Sequence, residues 1–351
     1  MEKKAVIAVQ FHWIFVIIAG ALILIFFGNL IFKHKDVADV QISSTVITDF
    51  DAILTGALVS TDTVNIIDIP KLDINFECDK FNIGQVKKQT QDRIIFSPDL
   101  IKGGTLITYG TDWSYPYRIS NILYLTTPQV RYIIVDDVGE MGEYLNDSLP
   151  TEINKELIDR SVIDSGNLQN LNDYRVKFIY LSTGDLNLLE AKSLAPFQDM
   201  LNQHVSAIVV EKDSNTPELG HVTFYQKQGL NWEFQEIEQG YYTKESLMGA
   251  VYAADYDMYK CGMDKAFKKL NIITNIVLNR TTRLKDDYGV GHDCYSIYED
   301  AEPDLNSIAT DSSGEFSYNA ANFIYTTLNN VGVDLKDINQ RAQLYSCVLI
   351  Y

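Results

Sequence analysis

An almost unbroken apolar segment opens the chain. Within residues 11–32 only His12 and Asn29 are strongly polar, and a pair of lysines flanks the segment on each side. At about 1.5 Å per helical residue, some 20 residues cross a hydrocarbon core roughly 30 Å thick. Residues 11–32 are therefore predicted to form a transmembrane helix in contact with the lipid bilayer, and residues 1–10 a short cytoplasmic tail.

The length of this segment decides how it is processed. A cleavable secretory signal has an apolar core of about 7–15 residues followed by a small-x-small site. The segment here is longer, and residues 29–34 contain no such site. An uncleaved signal-anchor is the main interpretation. The alternative is a pilin-like leader processed near Gln10, although neither a glycine before that point nor a glutamate shortly after it is present.

Residues 37–128 are predicted to form a β-rich segment after one short helix. Ser43 or Ser44 is a suitable N-cap for that helix, and Gly56 limits it. Strict alternation of apolar and polar residues over 72–77 predicts a strand with one solvated face. Further strands are predicted at 64–69, 93–96, 105–109 and 121–125.

Residues 129–240 have the pattern of a small βαβαβ sheet. Tyr132–Val135 is a nearly continuous apolar strand, which is typical of a sheet covered on both faces. Helices and strands are expected to alternate after it, at 151–159, 176–181, 189–201 and 207–210. Such a run predicts parallel strands with right-handed crossovers. A hairpin turning at Gln228–Gly229 adds an antiparallel edge.

Residues 241–351 are predicted to be a helical region that packs on the sheet. Apolar residues recur at helical spacing on both sides of Gly262, which we expect to mark a bend between two helices. The acidic, serine-rich residues 299–315 suggest a surface loop, followed by two shorter helices. The predicted fold class is an amino-terminal transmembrane helix joined to an α+β or α/β soluble region.

The charge of the soluble part excludes one class of partner. Residues 1–35 carry +3 of a total charge of −18, so residues 36–351 carry −21. This charge keeps a domain soluble and repels nucleic acid and anionic lipid surfaces. The sequence has no stripe of lysine and arginine, and nucleic acid is not an expected partner.

Four cysteines, Cys78, Cys261, Cys294 and Cys347, bear on the compartment. Their number is even and no C-x-x-C pair is present, which favours one or two disulfides in an oxidising compartment over zinc. Four buried free thiols are the alternative. The flanking lysines leave the orientation nearly balanced. The cysteines favour a single-pass cell-membrane protein with a cytoplasmic amino terminus and an extracytoplasmic bulk, but they do not choose among the three possible pairings.

The strongest candidate for chemistry is a group of carboxylates, Asp136, Asp137 and Glu140. The two aspartates follow the first parallel strand, and ligand sites of open α/β sheets lie at those strand ends. Carboxylate oxygens there are suitable ligands for Mg²⁺, which would make the protein a metal-dependent surface hydrolase or transferase. The alternative is an acidic loop on an acidic protein.

Other motif searches return nothing. The sequence contains no G-x-G-x-x-G, G-x-x-x-x-G-K-[ST], G-x-S-x-G or H-E-x-x-H. We therefore expect no cofactor, assign no catalytic residue and favour a non-enzymatic protein. Trp113 and Tyr117 lie in an aromatic stretch that suits either a glycan platform or the core. The leading hypothesis is a membrane-anchored extracytoplasmic protein that binds a protein or glycan partner or serves in surface assembly.

Three stretches of the chain carry a resemblance. Gln10–Phe15, Tyr259–Leu270 and Ser346–Tyr351 resemble the corresponding parts of an uncharacterised family of archaeal single-pass membrane proteins. The resemblance spans most of the chain and implies the membrane anchor. It assigns no function to any residue.

Overall fold

The computed structural model describes residues 3–114, 116–136, 140–164, 166–171, 173–182, 191–213, 216–235, 239–313 and 328–351. An apolar amino-terminal helix, three sheets and a helical carboxy-terminal region make up the fold. This confirms the coarse description predicted above.

The amino-terminal helix, α1, is continuous from Lys3 to Val59 and contains 57 residues. At 1.5 Å per residue it is about 85 Å long. The sequence predicted a transmembrane helix at 11–32 and a separate short helix after it, and placed residues 37–59 in the β-rich segment. The two helices are one because residues 33–42 contain no proline or glycine that would end the first. The stretch Val40–Val59 is long and apolar enough to cross a membrane.

The two halves of α1 have different surroundings. In the first half, the described apolar side chains are exposed: Ile18 and Leu22–Phe27 are 52–74% accessible. In the second half, Ile47, Phe50 and Leu54 are buried against the rest of the protein. The second half therefore belongs to the protein core, and residues 18 and 20–27 of the first half present a bare apolar surface.

Two small sheets follow α1. Their strands are β1 (Thr63–Asp68), β2 (Ile74–Phe76), β3 (Lys80–Ile83), β4 (Val86–Gln89), β5 (Ile94–Phe96), β6 (Leu100–Ile101), β7 (Thr105–Ser114) and β8 (Arg118–Thr126). The strand orders are β1-β7-β8-β5 and β4-β3-β2-β6, and all neighbours are antiparallel except β5 and β8. β1, β2, β5, β7 and β8 overlap the five strands predicted for this part of the chain.

The third sheet contains β9 (Val130–Asp136), β10 (Asn154–Asp159), β11 (Arg175–Ser182), β12 (Val205–Asp213), β13 (Thr216–Gln228), β14 (Asn231–Phe234) and β15 (Gln239–Tyr242). Its order is β10-β9-β11-β12-β13-β14, with β15 also paired to β13. The first four strands in this order are mutually parallel. β13 and β14 form the predicted antiparallel edge hairpin.

Two predicted helices in this region are wrong. Residues 154–159 form β10, which pairs in parallel with β9, because pairing along the sheet edge outweighs a weak helical pattern. The helix between β9 and β10 is instead α2 (Glu140–Ser148), and a short α3 (Arg160–Asp164) follows β10. The described part of 189–201 contains only short 3-10 turns, at Ala191–Ser193 and Ala195–Phe197.

The helical layer consists of α4 (Lys244–Tyr252), α5 (Tyr256–Tyr288), α6 (Asp293–Asp311) and α7 (Asn329–Leu344). α5 continues through Gly262 as one helix, so the predicted division into two helices at that residue is wrong, and the break falls instead between α4 and α5. Residues 299–311, predicted as loop, belong to α6. Its buried face, from Cys294 to Ile308, keeps helical spacing despite Pro303.

The main core lies between these layers. It joins the second half of α1, the two small sheets, one face of the third sheet and the helical layer. A second apolar cluster covers the opposite face of the third sheet, with Phe178 and Phe197 at its centre. Phe96 of β5 is fully buried where the small sheets meet α4 and α5.

Candidate functional site

The predicted metal ligands lie at the carboxyl end of β9. Asp136 is the last residue of that strand, but its side chain and the whole of Asp137 lie outside the described residues. Glu140 is exposed at the start of α2. The metal hypothesis therefore stays a prediction. Its measurement is the melting temperature with and without Mg²⁺, Mn²⁺ or Ca²⁺, and a flat response would remove it.

The four cysteines form two pairs in the structure. Cys78 is bonded to Cys261 with their Cα atoms 5.6 Å apart, and Cys294 to Cys347 with their Cα atoms 5.7 Å apart. The first bond joins the connection between β2 and β3 to the second turn of α5. The second joins the start of α6 to the segment after α7. Both bonds attach the helical layer to elements far away in sequence.

The surroundings of the first disulfide argue against a metal centre there. Ligand atoms of Cys78, Asp79 and Cys261 lie within 4.8 Å of one another. A metal would need thiolates, whereas these sulfurs are bonded to each other. The carboxylate is also engaged, because Lys265 Nζ lies 3.1 Å from Asp79 Oδ1. The cluster is a structural crosslink with an ion pair beside it.

Among the described residues, the buried lysine Lys177 has the most strongly shifted pKa of any cation. Lys177 of β11 donates from Nζ to the carbonyl of Ala250, at 2.8 Å, and to that of Ala253. Burial lowers the pKa of Lys177 to about 7. Both carbonyls belong to the end of α4, where a cation also interacts favourably with the helix dipole. A buried lysine with such a pKa is a recognised signature of catalysis.

The cavity next to Lys177 is too small for a catalytic role. The cavity that it lines, together with Arg175 and Tyr252, measures about 10 Å³. That volume holds about one water molecule and no substrate. Lys177 therefore caps the carboxy-terminal end of α4. Its signal in the sequence is two cations, Arg175 and Lys177, at alternate positions of an apolar strand, which sequence analysis missed.

Two further lysines cap backbone ends in the same way. Lys155 of β10 donates from Nζ to the carbonyls of Asn146 and Leu149 at the end of α2. Lys227 of β13 donates to the carbonyls of Gln198 and Met200. In this acidic protein, buried and half-buried lysines of the third sheet satisfy carbonyls that helices and turns leave open.

The aromatic stretch proposed as a glycan platform is part of the core. Trp113 and Tyr117 are almost inaccessible. The Trp113 ring lies 6.3 Å from that of Phe267, and the Tyr117 hydroxyl bonds to the Thr274 hydroxyl at 2.5 Å. A glycan therefore cannot stack on these two rings. Tyr115, between them, lies outside the described residues.

The described residues form a cleft of about 190 Å³ between α1 and the connection from β1 to β2. Its residues are Val46, Asp49, Phe50, Ile53, Asp68, Ile69, Pro70, Leu72 and Ile74. The walls are apolar, and the two exposed aspartates stand at the rim. Neither aspartate forms an ion pair with a described residue. Cofactor and drug-sized pockets measure about 300–1,000 Å³, so this cleft suits one or two aliphatic side chains.

The position of the cleft follows from the geometry of α1 and β1. After Val59 the chain turns and β1 runs back along α1. The strand advances about 3.3 Å per residue and the helix 1.5 Å, so the end of β1 lies level with a point roughly 11 residues before the end of α1. That relation brings Asp68 beside Asp49. Residues 19 positions apart thus form one acidic rim over an apolar floor.

Comparison of the chain with protein families, curated proteins and solved structures found no match in any of the three.

Proposed function

We propose that this protein is a single-pass, membrane-anchored extracytoplasmic protein that binds a partner or serves in surface assembly and catalyses no reaction. The observation that carries the proposal is the division of α1. Its first half exposes Ile18 and Leu22–Phe27, and its second half is built into the core. Water does not favour such a bare apolar surface, whereas the hydrocarbon core of a bilayer does. The anchor is thereby joined to the body without a linker.

The two disulfides support the extracytoplasmic orientation. Disulfides persist in oxidising compartments and are rare in the cytosol. Cys294 and Cys347 close a loop of 53 residues, which in the chain-entropy model stabilises the protein by roughly 4 kcal/mol. The proposal also includes the resemblance to an uncharacterised archaeal membrane family, on which the comparisons have no bearing.

The character of the cleft supports binding over catalysis. Its walls are aliphatic and aromatic, and its polar groups are two solvated aspartates. The residues that line it include no histidine, serine or cysteine, which are the side chains that most often serve as base or nucleophile. A site of this composition can hold an apolar side chain next to a cation.

The test is the accessibility of the cysteines in intact cells. A membrane-impermeant thiol reagent is applied with and without prior reduction, to the wild type and to the matched variants C78S/C261S and C294S/C347S. We expect labelling only after reduction, with each variant losing the label of one pair. Labelling that requires lysis but no reductant would place the body in the cytoplasm and contradict the proposal.

A second candidate function is that of a pilin-like assembly subunit. The observation that favours it is the unbroken course of α1 from its exposed apolar half into the body. Such a helix can pack against copies of itself once it leaves the bilayer. This function requires processing near Gln10. The intact mass of the protein purified from its native membrane decides it, because an unprocessed amino terminus excludes this candidate and leaves the anchored protein.

A further inference from the structure

One face of α5 is both apolar and basic. Ile272 and Ile276 are more than half exposed, and Arg280 and Arg283 are exposed one and two turns further on. Spacings of four, four and three residues place them next to one another along the helix surface. Neither arginine forms an ion pair with a residue that the structure describes. We call these four residues the α5 ridge.

The cleft beside α1 is complementary to this ridge. Its volume of about 190 Å³ accepts an isoleucine side chain, and its apolar floor includes Phe50 and Ile74. Asp49 and Asp68 stand at the rim, without described ion-pair partners, where a bound ridge would bring its arginines. Because residues 36–351 carry −21, a surface that combines isoleucine with arginine is unusual on this body.

We propose that the α5 ridge of one copy docks into the cleft of a second copy of the same chain. The inference rests on the second candidate function, the assembly subunit, and names the surfaces through which the bodies meet. Ridge and cleft are different patches of one molecule, so each copy keeps one of each available after pairing. A contact of this heterologous kind does not close on itself and extends into a chain of copies.

The positions of the two surfaces fix the arrangement of the copies. Asn121 of β8 donates to the carbonyl of Leu58 at the end of α1, and Lys269 of α5 donates to the neighbouring Ser120. Leu58 and Lys269 therefore lie at similar heights, where height is measured along the axis of α1. Lys265 contacts Asp79 and Thr90, and Thr90 directly follows β4, whose Lys88 forms an ion pair with Asp51 of α1. Along the axis of α1, Lys265 therefore lies closer than Lys269 to the level of Asp51.

This order of contacts shows that α5 leads away from the apolar half of α1. The centre of the cleft lies about eight residues before Leu58, and Ile276 lies seven residues after Lys269. Counted along the two helices at 1.5 Å per residue, with α5 taken as running alongside α1, ridge and cleft differ in height by roughly 20–25 Å. Two copies side by side in a flat bilayer cannot bring them together. The contact requires one copy to move along α1, as in a filament.

Charge reversal at the two surfaces tests the inference. The full chain is purified in detergent, and its protein mass is followed against concentration by size-exclusion chromatography with light scattering. We expect the wild type to associate. Asp49→Lys with Asp68→Lys, and separately Arg280→Glu with Arg283→Glu, should each raise the apparent dissociation constant by at least about tenfold, because like charges then face each other.

The combined quadruple variant provides the decisive comparison. It has the wild-type net charge and exchanges the signs at both surfaces, so association should recover. The matched control, Asp334→Lys with Asp337→Lys on exposed positions of α7, changes net charge as the cleft variant does and should associate like the wild type. Melting temperatures equal to that of the wild type show that each variant folds.

Mixing the two disrupted variants tests the heterologous geometry. The cleft variant keeps its arginine ridge and the ridge variant keeps its aspartate cleft, and the remaining lysine cleft and glutamate ridge also have opposite charges. The mixture should therefore associate although neither variant does so alone. A wild type that stays monomeric, a quadruple variant that fails to recover, or a control that fails to associate would each overturn the inference. Asn279 is exposed and begins the glycosylation sequon Asn279-Arg280-Thr281. A glycan found there by mass analysis of the native protein would cover the ridge and would also overturn the inference.

The proposed assembly function and the ridge-and-cleft contact can be refuted separately. Cysteine labelling and the mass of the amino terminus test anchoring and assembly without reference to the cleft. If those results stand and charge reversal has no effect, only the ridge-and-cleft contact is wrong. If the amino terminus is unprocessed, the assembly function fails first.

Discussion

Replacing Gly262 with alanine should destabilise the protein, although alanine is the better helix former. Gly262 of α5 and Gly249 of α4 both lie against the ring of Phe96. A Cβ atom added at Gly262 would lie 2.7 Å from Phe96 Cζ and closer still to Cε1. Side-chain carbons do not approach to less than about 3 Å, so either the ring or the helix must move.

The magnitude follows from two opposed effects. Alanine in place of glycine inside a helix stabilises by about 1 kcal/mol. Overpacking a filled core destabilises by about 1–3 kcal/mol. The upper end applies here, because Phe96 is fully buried and its ring is held between those of Tyr124 and Tyr259, with centroids 6.0 and 5.9 Å away. The expected net loss is about 2 kcal/mol.

Gly56→Ala is the matched control. Gly56 lies in the second half of α1, is exposed, and has nothing within 4 Å of an added Cβ. The same substitution should therefore stabilise by about 0.5–1 kcal/mol. Phe96→Leu should relieve the clash, so Gly262→Ala should cost less in that background than in the wild type.

The assay is urea unfolding of the full chain in detergent, followed by tryptophan fluorescence. Trp113 is buried against Phe267 of α5 and reports on this region. The expected order of stability is Gly56→Ala, wild type, then Gly262→Ala. A Gly262→Ala protein as stable as the wild type, or one whose loss is independent of residue 96, would refute the packing argument.

Three further predictions concern pH and redox state. Burial lowers the pKa of Lys177 to about 7. Between about pH 7 and pH 10 the unfolded state therefore binds more protons than the folded state, so stability should rise with pH over this range. Lys177→Met should flatten this rise in the melting temperature. Burial raises the pKa of Tyr117 to about 12 and also that of Tyr124, so stability should fall above about pH 10, and tyrosinate absorbance should appear together with unfolding. Cys78 is exposed whereas Cys294 and Cys347 are buried, so alkylation and mass analysis at rising dithiothreitol should show the Cys78–Cys261 bond opening first; simultaneous opening would contradict this order.

Local pattern predicted the strands better than the helices. Alternation at 72–77 and the apolar run at 132–135 are properties of neighbouring residues, and strands lie at both places. Helix ends were less well predicted because they depend on contacts with distant residues. Nothing near Gly262 in sequence reveals the ring of Phe96, which supplies a packing reason for a glycine in an unbroken helix. Nothing near 154–159 reveals the sheet edge at β9 that makes this segment a strand.

The candidate sites divide in the same way. Of the predicted metal ligands, Asp136 and Asp137 depend on positions outside the described residues, and the sequence remains their only support. The cleft was absent from the sequence analysis because Asp49 and Asp68 come together only when β1 folds back along α1. The α5 ridge had a local signal, isoleucine and arginine at helical spacing, but its exposure depends on what packs against α5.

By itself, the sequence determined the apolar character of the amino-terminal helix, the acidity of the body and the even number of cysteines. These properties are sums over residues or patterns along the chain, and folding does not change them. The tertiary structure decided the continuity of α1, the pairs Cys78–Cys261 and Cys294–Cys347, the burial of Lys177 and the meeting of two aspartates at one cleft. Each of these is a distance between residues far apart in the chain, which is fixed only when the layers pack together.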